Sequence, residues 1–144
     1  MLEVRTVTRS SAPPEAIFAL LADISTWSRW GDWQTAELES PAPDGGGGPG
    51  AVRRLTSKTG TYVVTSRERV EEVVPNRRIV YALLSGLPLR DYRGTIELEP
   101  DGSGTILRWS SAFEPTLFGT GWFYLWILQR FIADAAARVA RAAE

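Results

Sequence analysis

Alternation of apolar and polar positions dominates the middle of the chain. In DYRGTIELE (91–99) the set Tyr92, Gly94, Ile96 and Leu98 separates from Arg93, Thr95, Glu97 and Glu99, the period of two expected of a half-buried strand. The same period predicts strands over about 51–58, 61–74, 77–86, 91–99 and 104–113, joined by turn signals at KTG (58–60), VPN (74–76), SGLP (85–88) and PDGSG (100–104). Parity also assigns faces. In 104–113 the inward set is Thr105, Leu107, Trp109, Ser111 and Phe113, because the alternative buries Arg108. In 61–74, taking Tyr62, Val64, Ser66, Glu68 and Val70 inward leaves Arg67 and Arg69 solvated. In 77–86 the inward set is Ile79, Tyr81, Leu83 and Ser85. Two more strands come from EVRTVTRS (3–10), with Val4, Thr6 and Thr8 on one face, and from TAELES (35–40).

Helical periodicity appears twice. SAPPEAIFALLADIS (11–25) carries Ile17, Leu20, Leu21 and Ile24 on one stripe, with Ser11 as N-cap and Pro13 and Pro14 in the first turn. A short second helix follows from Ser25, where Trp27, Trp30 and Trp33 recur at a spacing of three that suits a tight helical ridge. Trp27 and Trp30 read as anchors, and Trp33 as a residue able to look into an interior space. A long helix over about 120–143 closes the chain. Its second half sets Leu128, Ile132, Ala136 and Val139 opposite Arg130, Asp134, Arg138 and Arg141, but WFYLWIL (122–128) is apolar all round and too short to span a bilayer. Phe123, Trp126 and Ile127 therefore meet another layer, line a cavity mouth, or form an interface such as that of a homodimer.

The inward strand faces carry Tyr62, Ser66, Glu68, Tyr81, Ser85, Tyr92, Trp109 and Ser111 among their apolar residues. An unpartnered buried hydroxyl costs roughly 1–3 kcal/mol, so this mixture points to an internal cavity where ligand or water supplies partners. Mutual bonding among the same side chains is the plainer alternative.

Composition narrows the chemistry. The chain of 144 residues has no cysteine and no histidine, which removes thiolate chemistry, the usual base of nucleophile triads and the commonest metal ligands. No metal and no cofactor is expected. A net charge of −1, with arginine pairs only at Arg53–Arg54 and Arg77–Arg78, argues against nucleic acid as a partner. PAPDGGGGPG (41–50) lacks the Lys-Ser/Thr pair of a phosphate loop and leads into the strand-like AVRRLTS, so it reads as a hairpin connection. The N-terminal stretch MLEVRTVTRS has no long apolar run, and a cytoplasmic location is the expectation.

PPEAIFALLADISTWSRW (13–30), the glycine-rich connection, and VPNRRIVYALLSGLPLRDYRGTIELEPDGSGTILRWSSAFEP (74–115) together resemble the START/Bet v 1-like (SRPBCC) superfamily, and more narrowly its polyketide cyclase/dehydrase-like bacterial members. The resemblance implies a single α+β domain of helix-grip fold. In such a fold a seven-stranded curved antiparallel sheet wraps a long C-terminal helix, two short helices follow the first strand, and a ligand cavity lies between sheet and helix. It also implies a small hydrophobic or aromatic ligand, lipid-, polyketide- or quinone-like. Trp33, Arg53, Tyr62, Ser66, Tyr81, Tyr92, Trp109, Ser111 and Trp126 are the candidate ligand contacts. The alternative is an aromatase/cyclase. Aldol cyclisation needs a base beside a carbonyl and a donor to the enolate oxygen, roles for which Glu68 and Tyr92 are the candidates. A third reading is a protein-interaction module built on the apolar start of the last helix.

Overall fold

The structure, a computed structural model, describes residues 1–59 and 61–144. Seven strands form one antiparallel sheet: β1 (Leu2–Ser10), β2 (Thr35–Ser40), β3 (Val52–Thr59), β4 (Tyr62–Val74), β5 (Arg78–Ser85), β6 (Leu89–Asp101) and β7 (Gly104–Pro115). Their spatial order is β1-β7-β6-β5-β4-β3-β2, so each strand from β2 onward lies beside its neighbour in sequence and β1 closes onto β7. Helix α1 (Pro14–Ala22), a single 3₁₀ turn (Ile24–Thr26) and the four-residue α2 (Trp27–Trp30) connect β1 to β2. Helix α3 (Gly121–Ala142) packs on β1 and β7. This is the helix-grip architecture that the alternation and the resemblance led one to expect.

Several boundaries differ for identifiable reasons. Strand β6 extends beyond 91–99 at both ends, because β7 opposes it from Leu89↔Pro115 to Asp101↔Gly104. Helix α1 starts at Pro14 with Pro13 as its N-cap, not at Ser11, since extended φ/ψ at Pro13 sets the first turn and the Ser11 N–H donates to Glu144 instead. The turn expected at KTG includes Gly60, which lies outside the described residues. The parity faces hold where the helices cover the sheet. They fail at Tyr62 and Ser85, both exposed, because β4 and β5 run on past that cover. The β4–β5 ladder also bulges twice, on β5 at Leu84 opposite the Arg67–Glu68 step and on β4 at Glu71 between Val70 and Glu72, after which Val73 opposes Ile79.

Both margins of the sheet are tied down. On β1, the Gln129 side chain of α3 accepts from the Arg5 N–H at 3.2 Å and donates to the Arg5 carbonyl at 2.6 Å. Ser10 Oγ donates to the Ala140 carbonyl at 2.7 Å, so α3 is held to the same strand at its middle and near its C-terminal end. On β2, the Glu39 carboxylate takes Arg67 at 2.6 Å and Arg54 at 3.1 Å, joining three strands across the outer face. The loop 41–50 is internally bonded, with the Ala42 N–H donating to Gly46 at 2.7 Å, and is pinned to β4 by Gly50 N–H to the Val70 carbonyl at 2.8 Å.

The two arginines hold the Glu39 carboxyl at about 2, chiefly through the Arg67 hydrogen bond, against an ordinary value of 4.5. The unfolded chain thus takes up the proton more readily than the folded one. The stability this adds is fully present above the ordinary value and is lost as pH falls toward the folded value. Urea denaturation across pH should therefore find Glu39→Gln less stable than the parent above pH 4.5, with the gap closing as pH approaches 2. A gap that does not change with pH would contradict the assignment.

Candidate functional site

The site grows from the parity of β3. Arg53 and Leu55 share the inward face, and the register sets Arg53 opposite Glu68 and Leu55 opposite Ser66 on β4. Arg53 is 4% exposed, an unusual place for a cation. Its Nη2 donates to Glu68 Oε1 at 2.9 Å. Its guanidinium lies 4.6 Å from the Trp27 ring centroid and 5.3 Å from that of Tyr81. Such a desolvated cation between aromatic faces gains roughly 2 kcal/mol or more from the ring quadrupoles. Arg53 Nε has no partner.

Around this cation the polar groups are bonded in pairs. Trp109 Nε1 donates to the Tyr81 hydroxyl at 2.9 Å, and the Tyr92 and Ser111 hydroxyls share a bond of 2.8 Å. Tyr81 can lie flat across β6 because Gly94 is opposite it in register; a Cβ there would overlap the Tyr81 ring. The tryptophan ridge closes the layer from above. Trp27 to Trp30, Trp27 to Trp33 and Trp30 to Trp33 have centroid separations of 5.3, 5.0 and 5.5 Å. Trp27 Nε1 donates to the Leu21 carbonyl and Trp30 Nε1 to Thr26 Oγ1, both at 3.2 Å, so the two anchors are satisfied. Trp33 also meets Phe131 of α3 edge-on at 5.5 Å.

Burial sets the protonation states. It pushes the Glu68 carboxyl up, with the Arg53 charge and hydrogen bond opposing that rise. It pushes the Tyr92 phenol to about 12 and the Tyr81 phenol well above its ordinary value, so both are neutral donors at pH 7. Among the described residues, no group of three or more acidic side chains stands together to hold a metal ion.

Of the residues picked out from the sequence, Arg53, Glu68, Tyr81, Tyr92, Trp109 and Ser111 converge on this buried layer, with Trp33 in the ridge above and Ser66 half-buried beside Leu55. Tyr62 and Trp126 do not join it. Tyr62, 73% exposed, sits at the hairpin end of β4, and Trp126, 56% exposed, lies under Arg130 at 5.2 Å on the outer side of α3. The mixture of polar residues on the inward faces is therefore no sign of empty space at this depth, because the side chains satisfy one another. Two clefts open elsewhere, against α1. One of about 270 Å³ is lined by Phe18, Gly47, Gly48, Arg53, Val70 and Val73 among others, and one of about 490 Å³ lies between the 3₁₀ turn and β2. The alternation of the strands gave no warning of them. The only hint is Phe18, which stands one position off the α1 stripe.

The whole chain, residues 1–144, matches the family model described as polyketide cyclase / dehydrase and lipid transport. The chain belongs to this family. A START superfamily protein from Mycobacterium smegmatis superposes with a TM-score of 0.84 at 16% identity, covering 98% of this chain and 96% of that one. The Zhui aromatase/cyclase from a Streptomyces species superposes with a TM-score of 0.78 at 17% identity over 99% and 93%. At these identities the likeness is one of fold. MLP-like protein 423 of Arabidopsis thaliana is 37% identical over 76 residues, which is 49% of this chain and 49% of that protein. The matched stretch thus spans about half the length of that curated relative. No helix among the described residues is long and apolar enough to cross a membrane.

Removing one partner of a buried pair strands the other charge, at a cost of roughly 3–5 kcal/mol, whereas replacing both by apolar groups is often close to neutral. Arg53→Met should lower stability by about that amount, and Arg53→Met/Glu68→Met should recover most of it. With Glu68→Met measured beside them by chemical denaturation, a double-variant loss equal to the sum of the two single losses would mean that the pair is not coupled.

Proposed function

We propose that this family member binds a small apolar ligand, lipid-, polyketide- or quinone-like, between the concave face of the sheet and the first half of α3. One observation carries the reading. From Ile132 onward α3 buries Ile132, Ala135, Ala136, Val139 and Ala140, whereas the turns before it bury only Leu128 and leave Phe123, Trp126, Ile127 and Phe131 between 39% and 56% exposed. About the β5–β6 turn, Leu83, Leu87 and Leu89 are likewise only partly buried against the core. Uncovered apolar surface costs about 25 cal/mol per Å², and a ligand seated there would remove it from water. Trp33, which meets Phe131 of α3, and the bonded Tyr92–Ser111 pair are the side chains we take to supply its aromatic and polar contacts. Trp126 belongs to its outer rim.

A cyclase reading draws support from Glu68, a buried carboxyl whose proton affinity is raised near two neutral phenols. To act as base, Glu68 must first exchange Arg53 for substrate, and Tyr92 must leave Ser111 to donate to an enolate. Homodimerisation through the same apolar turn is the competing use of α3.

Titration with the apolar dye 8-anilinonaphthalene-1-sulfonate tests the reading. The parent should bind it saturably with a blue-shifted emission, and Ile127→Glu and Phe131→Glu should each weaken binding by at least about tenfold, because each puts a carboxylate where apolar surface would be covered. Light scattering should find a monomer. Binding indifferent to both substitutions, or a dimer that dissociates in both, would overturn the proposal.

A further inference from the structure

The turn between β7 and α3 presents apolar side chains to water. Phe118 is fully exposed, and Leu117, Trp122 and Trp126 are each more than half exposed. At roughly 150–250 Å² for a whole aromatic side chain, these form a patch of several hundred Å², the size that marks an interaction surface. The turn is tied down despite this exposure. The Thr116 N–H and hydroxyl both donate to the Pro88 carbonyl, at 3.0 and 2.9 Å, and those of Thr120 both donate to the Leu117 carbonyl, at 3.3 and 2.7 Å. These backbone groups are satisfied within the protein, so the tip can enter an apolar medium without stranding them.

Charge says which medium. Between Pro115 and Ala133 the only charged residue is Arg130. The flanking acids are each matched, Glu114 by Arg90 at 3.7 Å and Asp134 by Arg138 at 2.7 Å. Trp122, Trp126 and Arg130 follow one another at four-residue steps along one row of α3, and the Arg130 guanidinium lies 5.2 Å from the Trp126 ring centroid. Eight residues of helix separate Trp122 from Arg130, about 12 Å at 1.5 Å each. A bilayer's headgroup layer is about 5–8 Å thick on each side, so a tip that reaches the acyl boundary leaves Arg130 among the phosphates. A long basic side chain that keeps its charged head there while its neighbours go deeper is ordinary interfacial behaviour.

We propose that the Leu117–Phe118 tip and the Trp122–Trp126–Arg130 row dock this protein on the surface of an anionic lipid bilayer. A second copy fits this surface less well. Phe118 stands proud and needs a pocket on a rigid partner, and the two clefts described above lie against α1, so copies joined that way would pair head-to-tail rather than as a closed dimer. A bilayer deforms around the tip and needs no pocket. The docking surface does not rest on a ligand in the α3 mouth. Phe131, which meets Trp33, is nine residues and thus half a turn round the helix from Trp122.

The test is flotation of the intact chain with unilamellar vesicles of phosphatidylcholine, alone or with one-quarter phosphatidylglycerol. The parent should float with the anionic vesicles and more weakly with the neutral ones. Acyl-brominated phosphatidylcholine in the anionic vesicles should quench tryptophan emission, a signal left to Trp122 and Trp126 because Trp27, Trp30, Trp33 and Trp109 are buried. Phe118→Ser/Trp122→Ser should bind the anionic vesicles at least about tenfold more weakly. Arg130→Gln should lose about fivefold on anionic vesicles and little on neutral ones. The double serine variant should bind 8-anilinonaphthalene-1-sulfonate in solution as the parent does, so failure at the α3 mouth and failure at this surface read out separately. No flotation, flotation without quenching, equal flotation of parent and double variant, or a solution dimer that the double substitution dissociates would each overturn the proposal.

Discussion

A cation held out of water orders the interior of this protein. The Arg53 guanidinium can be there only because Glu68 neutralises it and two aromatic rings face it, and each of those partners comes from a different element. Glu68 belongs to β4, Tyr81 to β5 and Trp27 to α2. A slip of β3 against β4 by one residue would turn Arg53 outward and expose Leu55 with it. A shift of α2 would remove one aromatic face. The ion pair adds little net stability on its own account, since desolvation consumes most of its Coulomb energy. Its value lies in the penalty it imposes on every other arrangement of these elements.

The same demand explains the companions of Arg53. Gly94 exists opposite Tyr81 because the ring must lie across β6. Trp109 gives that phenol its donor, and Ser111, the register partner of Gly94 on β7, meets Tyr92. The tryptophans of α2 then seal the layer. Their spacing of three turns one apolar ridge downward, and Gly31 gives the Trp33 ring room to fold back against it.

Much of this was legible in the sequence, and the remainder was hidden for physical reasons. Alternation located the strands of the meander and most of the inward faces, because a period of two survives wherever one side is covered. It could not say where cover ends, so Tyr62 looked inward by parity and proved to stand in solvent. The polar inward residues suggested a void because parity gives a residue's face but not its cross-strand partner. Tyr92 with Ser111, and Tyr81 with Trp109, become pairs only when strands far apart in sequence are brought into register. Arg53 stood among the candidate ligand contacts, yet Trp27 as its aromatic partner was invisible, since nothing in a spacing of three tells an anchor from a cation's neighbour. The uncovered start of α3 was readable, since WFYLWIL has no polar side to give to water.

The Gln129 amide has a consequence for how copies of this protein meet. An open antiparallel sheet offers two strands whose outer N–H and C=O groups can recruit a neighbour's chain. At Arg5 both groups are occupied by one side chain that mimics the missing strand. At the other margin β2 is short, irregular between Leu38 and Ser40, and lined with Glu37 and Glu39. Sheet-to-sheet polymerisation is thereby discouraged from both directions, which leaves the exposed aromatics of α3, not the sheet margins, as the surface by which copies could meet.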